Sequence, residues 1–173
     1  FKGDDGQFHM LVSTMQGTKG VLVEFVSPNL KSWEHKGVFM TMMWDRFYEC
    51  PDVFKMGDWW YLFYSEKHAA IRKVQYFKGR TLDELKATTA NDAGIWPDNH
   101  EGFLDSRGFY AGKTASDGTN RYIWGWCPTR SGNDNTEVGA SPNEPEWAGN
   151  LVAHKIIQHE DGTLTLGAVE GID

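Results

Sequence analysis

Apolar and polar positions in this chain alternate in short bursts broken by Gly, Asp, Asn and Pro, the pattern of strands joined by tight turns. Phe1-Lys2-Gly3 turns at Asp4-Asp5-Gly6 and resumes as an apolar run over residues 8–13. Strand, Asp/Gly turn and aromatic strand return over residues 54–65, around Gly57-Asp58. A looser copy runs through Phe109-Tyr110-Ala111-Gly112-Lys113, turns at Asp117-Gly118 and resumes over 121–126. Residues 154–158, the Asp161-Gly162 turn and residues 163–166 predict a further hairpin. Residues 21–26 and 35–40 read as strands, and the one helix signal is a single turn over 82–86 capped by Thr81. Residues 131–145, rich in Gly, Asn, Ser and Pro, predict an exposed loop.

The first three turns recur roughly every 50 to 60 residues, near the period of propeller blades. The expected fold class is therefore all-β, a β-propeller with about three blades represented. Propellers usually close with about four to eight blades, so an open arc leaves strand edges unpaired and part of the channel wall missing. The expectation is that 1–173 is a partial propeller domain, completed by further polypeptide or by another chain. An opening of Phe1-Lys2-Gly3, with no initiator Met or signal pattern, predicts a cut N-terminus.

Composition narrows the partners. The 173 residues are 40% apolar and 24% charged, enough to bury a core. A formal charge of −7 argues against a nucleic-acid partner, which needs clustered Lys and Arg. No apolar run approaches the roughly 20 residues that span a bilayer. Aromatics make up 14% of the chain, with eight Trp beside 19 Gly, which suits aromatic strands and also sugar binding by ring stacking. The two cysteines and six histidines match no metal-ligand spacing, so neither a metal nor a cofactor is expected.

Candidate chemistry centres on Glu49, which precedes the Cys50-Pro51 that opens the second repeat. That position is the start of a blade's first strand, the strand that lines a propeller's channel, and Pro51 is tolerated there because an edge residue need not donate to the ladder. Cys50 is expected to line the pocket as a small buried hydrophobe. Tyr110 and Trp126 either touch sugar or pack between blades. Trp59 and Trp60 face opposite sides of one strand and are expected to pack between blades. Asp105 either bonds a sugar hydroxyl or fixes its own turn.

Glu49-Cys50-Pro51-Asp52-Val53-Phe54 resembles the acid/base motif of glycoside hydrolase family 32, the fructan and sucrose hydrolases. Ser27-Pro28-Asn29-Leu30-Lys31-Ser32-Trp33 resembles the family's Ser-x-Asp/Asn-Leu-x-x-Trp strand, and Gly108 to Thr114 its Asp-Phe-Tyr-Ala-x-x-Thr strand. Arg121 to Trp126 resembles the Arg…Gly-Trp strand that follows, and Glu146-Trp147-Ala148-Gly149 resembles Gly-Trp-Ala-Gly. These matches come in order along nearly the whole chain.

The resemblance implies a five-bladed parent propeller, entered in its second blade after the first strand and left in the fourth or fifth. It implies retaining hydrolysis of β-fructosides such as sucrose, inulin or levan, through a covalent intermediate between two carboxyl groups about 5–5.5 Å apart. Glu49 is then the general acid/base, with Cys50, Asp105, Tyr110 and Trp126 binding an oligo- or polysaccharide, and the protein is secreted or periplasmic. The family's Asn-Asp-Pro-Asn nucleophile and Arg-Asp-Pro stabiliser motifs do not occur in the chain; the second would fall just before Phe1. The isolated chain is therefore expected to be inactive. Gly108 in place of the family's Asp, and Val152-Ala153-His154-Lys155 in place of Leu-Pro-Arg-Glu, mark a divergent branch. A family 43-like or 68-like glycosidase and a non-catalytic sugar-binding propeller are the alternatives.

Overall fold

The computed structural model describes residues 1–41, 48–66, 73–87, 100–105, 109–128 and 149–172. They form three antiparallel sheets. The first holds β1 (Phe8–Gln16), β2 (Lys19–Ser27) and β3 (Glu34–Thr41) in chain order. The second is β4 (Glu49–Met56), β5 (Trp59–Glu66), β6 (Lys73–Gly79) and β7 (His100–Phe103), with helix α1 (Leu82–Ala87) between its last two strands. The third is β8 (Tyr110–Ser116), β9 (Arg121–Pro128), β10 (Gly149–Gln158) and β11 (Leu164–Gly167). Each sheet is a meander of neighbouring hairpins, as the turn residues predict, and each is one blade. The predicted loop over 131–145 and the Glu146-Trp147-Ala148 stretch lie outside the described residues.

The middle blade explains why its central strand is aromatic throughout. Successive side chains of a strand point to opposite faces. In β5, Trp60, Leu62 and Tyr64 join a core shared with Leu22, Phe39 and Met40 of the first sheet. Tyr61 and Phe63 point the other way, into a core shared with Ile123, Ile156 and Leu164 of the third. Tyr61, Leu62, Phe63 and Tyr64 are all fully buried, each such side chain contributing about 1.5–3 kcal/mol. A sheet buried on both faces has no polar alternation to show, so the run Trp59-Trp60-Tyr61-Leu62-Phe63-Tyr64 reads as continuous.

Both tryptophans expected between blades are there. Trp60 meets Phe1 edge-on at 5.9 Å. Trp59 lies under the β10–β11 turn, where a Cβ on Gly162 (φ +81°) would sit 2.4 Å from its ring. Arg80 lies over that ring, 3.8 Å from its centre. The predicted helix forms, with Thr81 Oγ1 accepting the Glu84 N–H at 3.1 Å.

The first sheet begins within a pairing. Phe1 and His9 exchange backbone bonds of 2.9 and 2.8 Å, and Lys2 bridges to Phe8, so Phe1 and Lys2 lie against the edge of β1 away from β2. Strands β1, β4 and β8 are the adjoining edges of their sheets, and the candidate site stands at the start of two of them.

Candidate active site

Local backbone irregularity aims the site. In β4, Asp52 pairs with Phe63 and Glu49 with Ser65, so Cys50 and Pro51 together oppose Tyr64. Strict alternation would set Cys50 opposite Ser65. The extra residue brings Glu49 there instead and turns it to the face of Tyr61, Phe63 and Ser65, which looks toward the third sheet. Cys50 makes the bend at φ +52°, a conformation unusual without glycine. Pro51, with no N–H, falls in the bulge of an edge strand, where no ladder bond is lost. Strand β8 repeats the device: Tyr110 pairs with Trp126 and Lys113 with Trp124, and Ala111 sits at φ +56°.

The two bulges face each other. The Tyr110 hydroxyl donates to Glu49 Oε2. The next residue, Ala111, donates its N–H to Ser65 Oγ at 3.0 Å. Further along, the Thr114 N–H donates to Asp52 Oδ2 at 2.7 Å and Lys113 Nζ to the Pro51 carbonyl at 2.6 Å. Arg121 Nη1 donates to Thr114 Oγ1 at 2.7 Å, and its guanidinium lies 4.2 Å from the centre of the Phe54 ring. Trp126 meets the Tyr110 ring edge-on at 5.7 Å. Tyr110 is 3% exposed, whereas Glu49 and Cys50 are half-buried. A carboxyl group anchored through one oxygen by a phenol is held in one orientation, which positioned proton transfer requires.

The electrostatics follow from burial. Burial pushes the Cys50 thiol up; Lys113 opposes this and Glu49 adds to it. Burial likewise raises the Cys127 thiol, with Asp105 adding to the effect. Burial lowers Arg121, and Asp52 opposes that shift.

Of the residues singled out from sequence, Glu49, Cys50, Tyr110 and Trp126 come together. Asp105 is held elsewhere: its Oδ2 lies 3.0 Å from His154 Nε2, and the His154 ring tilts against Phe109 at 5.3 Å. Ser65 and Asp52 were not singled out, and both tie the second blade to the third. Neither carries a local signal, because their partners on β8 are 46 and 62 residues away. A cavity of about 740 Å³ opens between β1, β4 and β8, lined by Phe1, Trp33, Asp52, Trp60, Lys113 and Arg121 among others. It follows the later residues of β4 and β8, whereas Glu49 and Tyr110 stand at their starts and do not line it. Among the described residues, no group of three or more His, Cys, Asp or Glu converges to hold a metal ion.

This arrangement has relatives. The family model for the glycosyl hydrolases family 32 N-terminal domain matches residues 1–167. A β-fructofuranosidase, insoluble isoenzyme, of Arabidopsis thaliana is 28% identical over 193 residues, covering 100% of this chain and 31% of its own length. A sucrose-6-phosphate hydrolase of Vibrio alginolyticus is 29% identical over 178 residues, covering 94% of this chain and 34% of its own. The chain thus spans about a third of the length of the curated relatives it matches. Among solved structures, fructan 1-exohydrolase IIa of Cichorium intybus superposes with a TM-score of 0.69 at 18% identity, over 98% of this chain and 34% of that one. A family 32 β-fructofuranosidase of Bombyx mori superposes at 0.67 and 18% identity, over 96% of this chain and 35% of that one. These neighbours are five-bladed propellers, and the three sheets described above are blades of that fold. By its sequence match over residues 1–167, the chain belongs to glycosyl hydrolases family 32.

Proposed function

We propose that this chain is part of a retaining glycoside hydrolase acting on β-fructosides of the sucrose, inulin or levan type, with Glu49 as general acid/base. The observation that carries the reading is the bond from Tyr110 to Glu49, which joins two family motifs across a blade junction through matching bulges. In the first step Glu49 gives its proton to the leaving glycosidic oxygen while a second carboxylate attacks the anomeric carbon. In the second step the Glu49 carboxylate takes a proton from water, and the hydroxide so formed releases the sugar from the enzyme. The second carboxylate belongs to polypeptide outside these residues, about 5–5.5 Å from the first. Tyr110 orients the acid, Cys50 lines the site, and the half-buried Trp126 ring offers surface for stacking on sugar. Asp105 lies 3.0 Å from His154 Nε2.

Residues 1–173 are then a partial catalytic domain, running from the second blade toward the fourth or fifth, and the remaining blades complete the channel. A secreted or periplasmic place follows from a polymeric substrate, which is met outside the cytoplasm.

The test is Glu49→Gln in a family-length protein carrying this segment. Turnover of sucrose or inulin is expected to fall by about 10²–10⁴-fold, the usual contribution of a positioned acid/base. A substrate whose leaving group needs no proton should lose much less in the first step. Undiminished hydrolysis of sucrose and inulin would overturn the assignment. The 173-residue chain alone is expected to show no turnover, because one carboxyl group cannot serve as both nucleophile and acid.

A further inference from the structure

We propose that Ser65 is a positioning residue for the acid/base, a role that rests on the assignment of Glu49 above. Ser65 is fully buried and stands directly across the ladder from Glu49. The bulge in β8 takes Ala111 out of the regular ladder, and Ser65 Oγ accepts its N–H at 3.0 Å. The preceding residue, Tyr110, donates to Glu49. Two consecutive groups of β8 are thus received by two facing residues of β4 and β5.

That pairing makes a closed clamp. Tyr110 and Ala111 are separated by one trans peptide, about 3.8 Å between Cα atoms. Glu49 and Ser65 are fixed relative to each other by the ladder, about 4.5–5.5 Å apart. The phenol can approach the carboxyl group only along the line that the Ala111–Ser65 bond allows. Serine supplies the acceptor here, and alanine leaves the Ala111 N–H without its partner.

The experiment uses a family-length enzyme carrying this segment, with Ser65→Ala, Ser65→Thr and Ser65→Cys, each alone and with Tyr110→Phe. Ser65→Ala is expected to lower kcat on sucrose about ten- to a hundredfold, with KM within about twofold. The first-step burst rate on an aryl β-fructoside whose leaving group departs without a proton should change little, because that step needs no acid. Ser65→Thr, which keeps the hydroxyl, should restore most of kcat. In the Tyr110→Phe background Ser65→Ala should cost less than about twofold more, since the two act through one contact.

Should Ser65→Ala fail to fold, Ser65→Cys keeps the volume with a poor acceptor and must show the same selective loss. A loss in the aryl burst rate equal to the loss in kcat on sucrose, or independent losses in the double variant, would overturn the proposal in favour of a general structural role. An unchanged kcat in folded Ser65→Ala would overturn it too. If Glu49→Gln is silent, the acid/base assignment fails; if Glu49→Gln is severe and Ser65→Ala silent, only the clamp fails.

Discussion

Cys50 combines two independent properties at one position. Its backbone makes the left-handed bend of the β4 bulge, and its thiol is pushed up by burial, with Glu49 adding and Lys113 opposing. A raised thiol pKa means less thiolate at any given pH, so the native Cys50 should react slowly with iodoacetamide near pH 8. Its rate should go on climbing above the pH at which the unfolded chain has levelled off. Lys113→Ala removes the opposing cation and should slow the reaction further. Peptide-resolved mass spectrometry reads both rates, and labelling of native Cys50 as fast as in the unfolded chain would contradict this account. At this scale the sequence already placed Glu49, Cys50, Tyr110 and Trp126 in ordered motifs, and they do converge. It could not show that Asp105 pairs with His154, or that Ser65 receives Ala111, because those contacts arise only when separate blades stack.

Hairpins and the latches between them carry the next level of order. The β8–β9 turn is closed by Asp117, whose Oδ1 accepts the N–H groups of Thr119 and Asn120 at 2.8 and 2.7 Å. These bonds hold its carboxyl down to about 2. A carboxylate depressed on folding stabilises fully above its unfolded pKa of about 3.9 and loses that contribution as pH falls toward about 2. The gap in urea midpoint between wild type and Asp117→Ala should therefore be widest above pH ~4 and close toward pH ~2. Between the second and third blades, the Tyr61 hydroxyl donates to the Gly162 carbonyl at 2.7 Å and accepts from Gln158 Nε2 at 2.7 Å. Tyr61→Phe removes both bonds inside a core and should cost about 1–3 kcal/mol, read from urea unfolding. The strands, their Asp/Gly turns and α1 were legible from alternation and capping. The bulges were not, since Cys50 and Ala111 take a glycine-like conformation without being glycine. Strand β7, four residues long, had no pattern to announce it.

The molecule as a whole is an arc with two unlike ends. At one end, Met10 and Val12 of β1 are each 39% exposed. At the other, Ile156 points into the core at 1% exposure while Leu151 and Ile157, on the opposite face of β10, are 74% and 41% exposed. The middle blade buries the corresponding face. The isolated chain should therefore self-associate through the third sheet, and Leu151→Lys with Ile157→Lys should shift it toward monomer in sedimentation velocity. A wild-type chain that stays monomeric at tens of micromolar would contradict this. The propeller class was legible from the repeat period. The bulge in β4 also leaves the protein vulnerable to a kind of genetic change that substitutions do not mimic. Loss of a single codon at Cys50 or Pro51 would leave Glu49 opposite Ser65 but straighten the strand that carries it, drawing the carboxyl group off the Tyr110 hydroxyl while every sheet still formed.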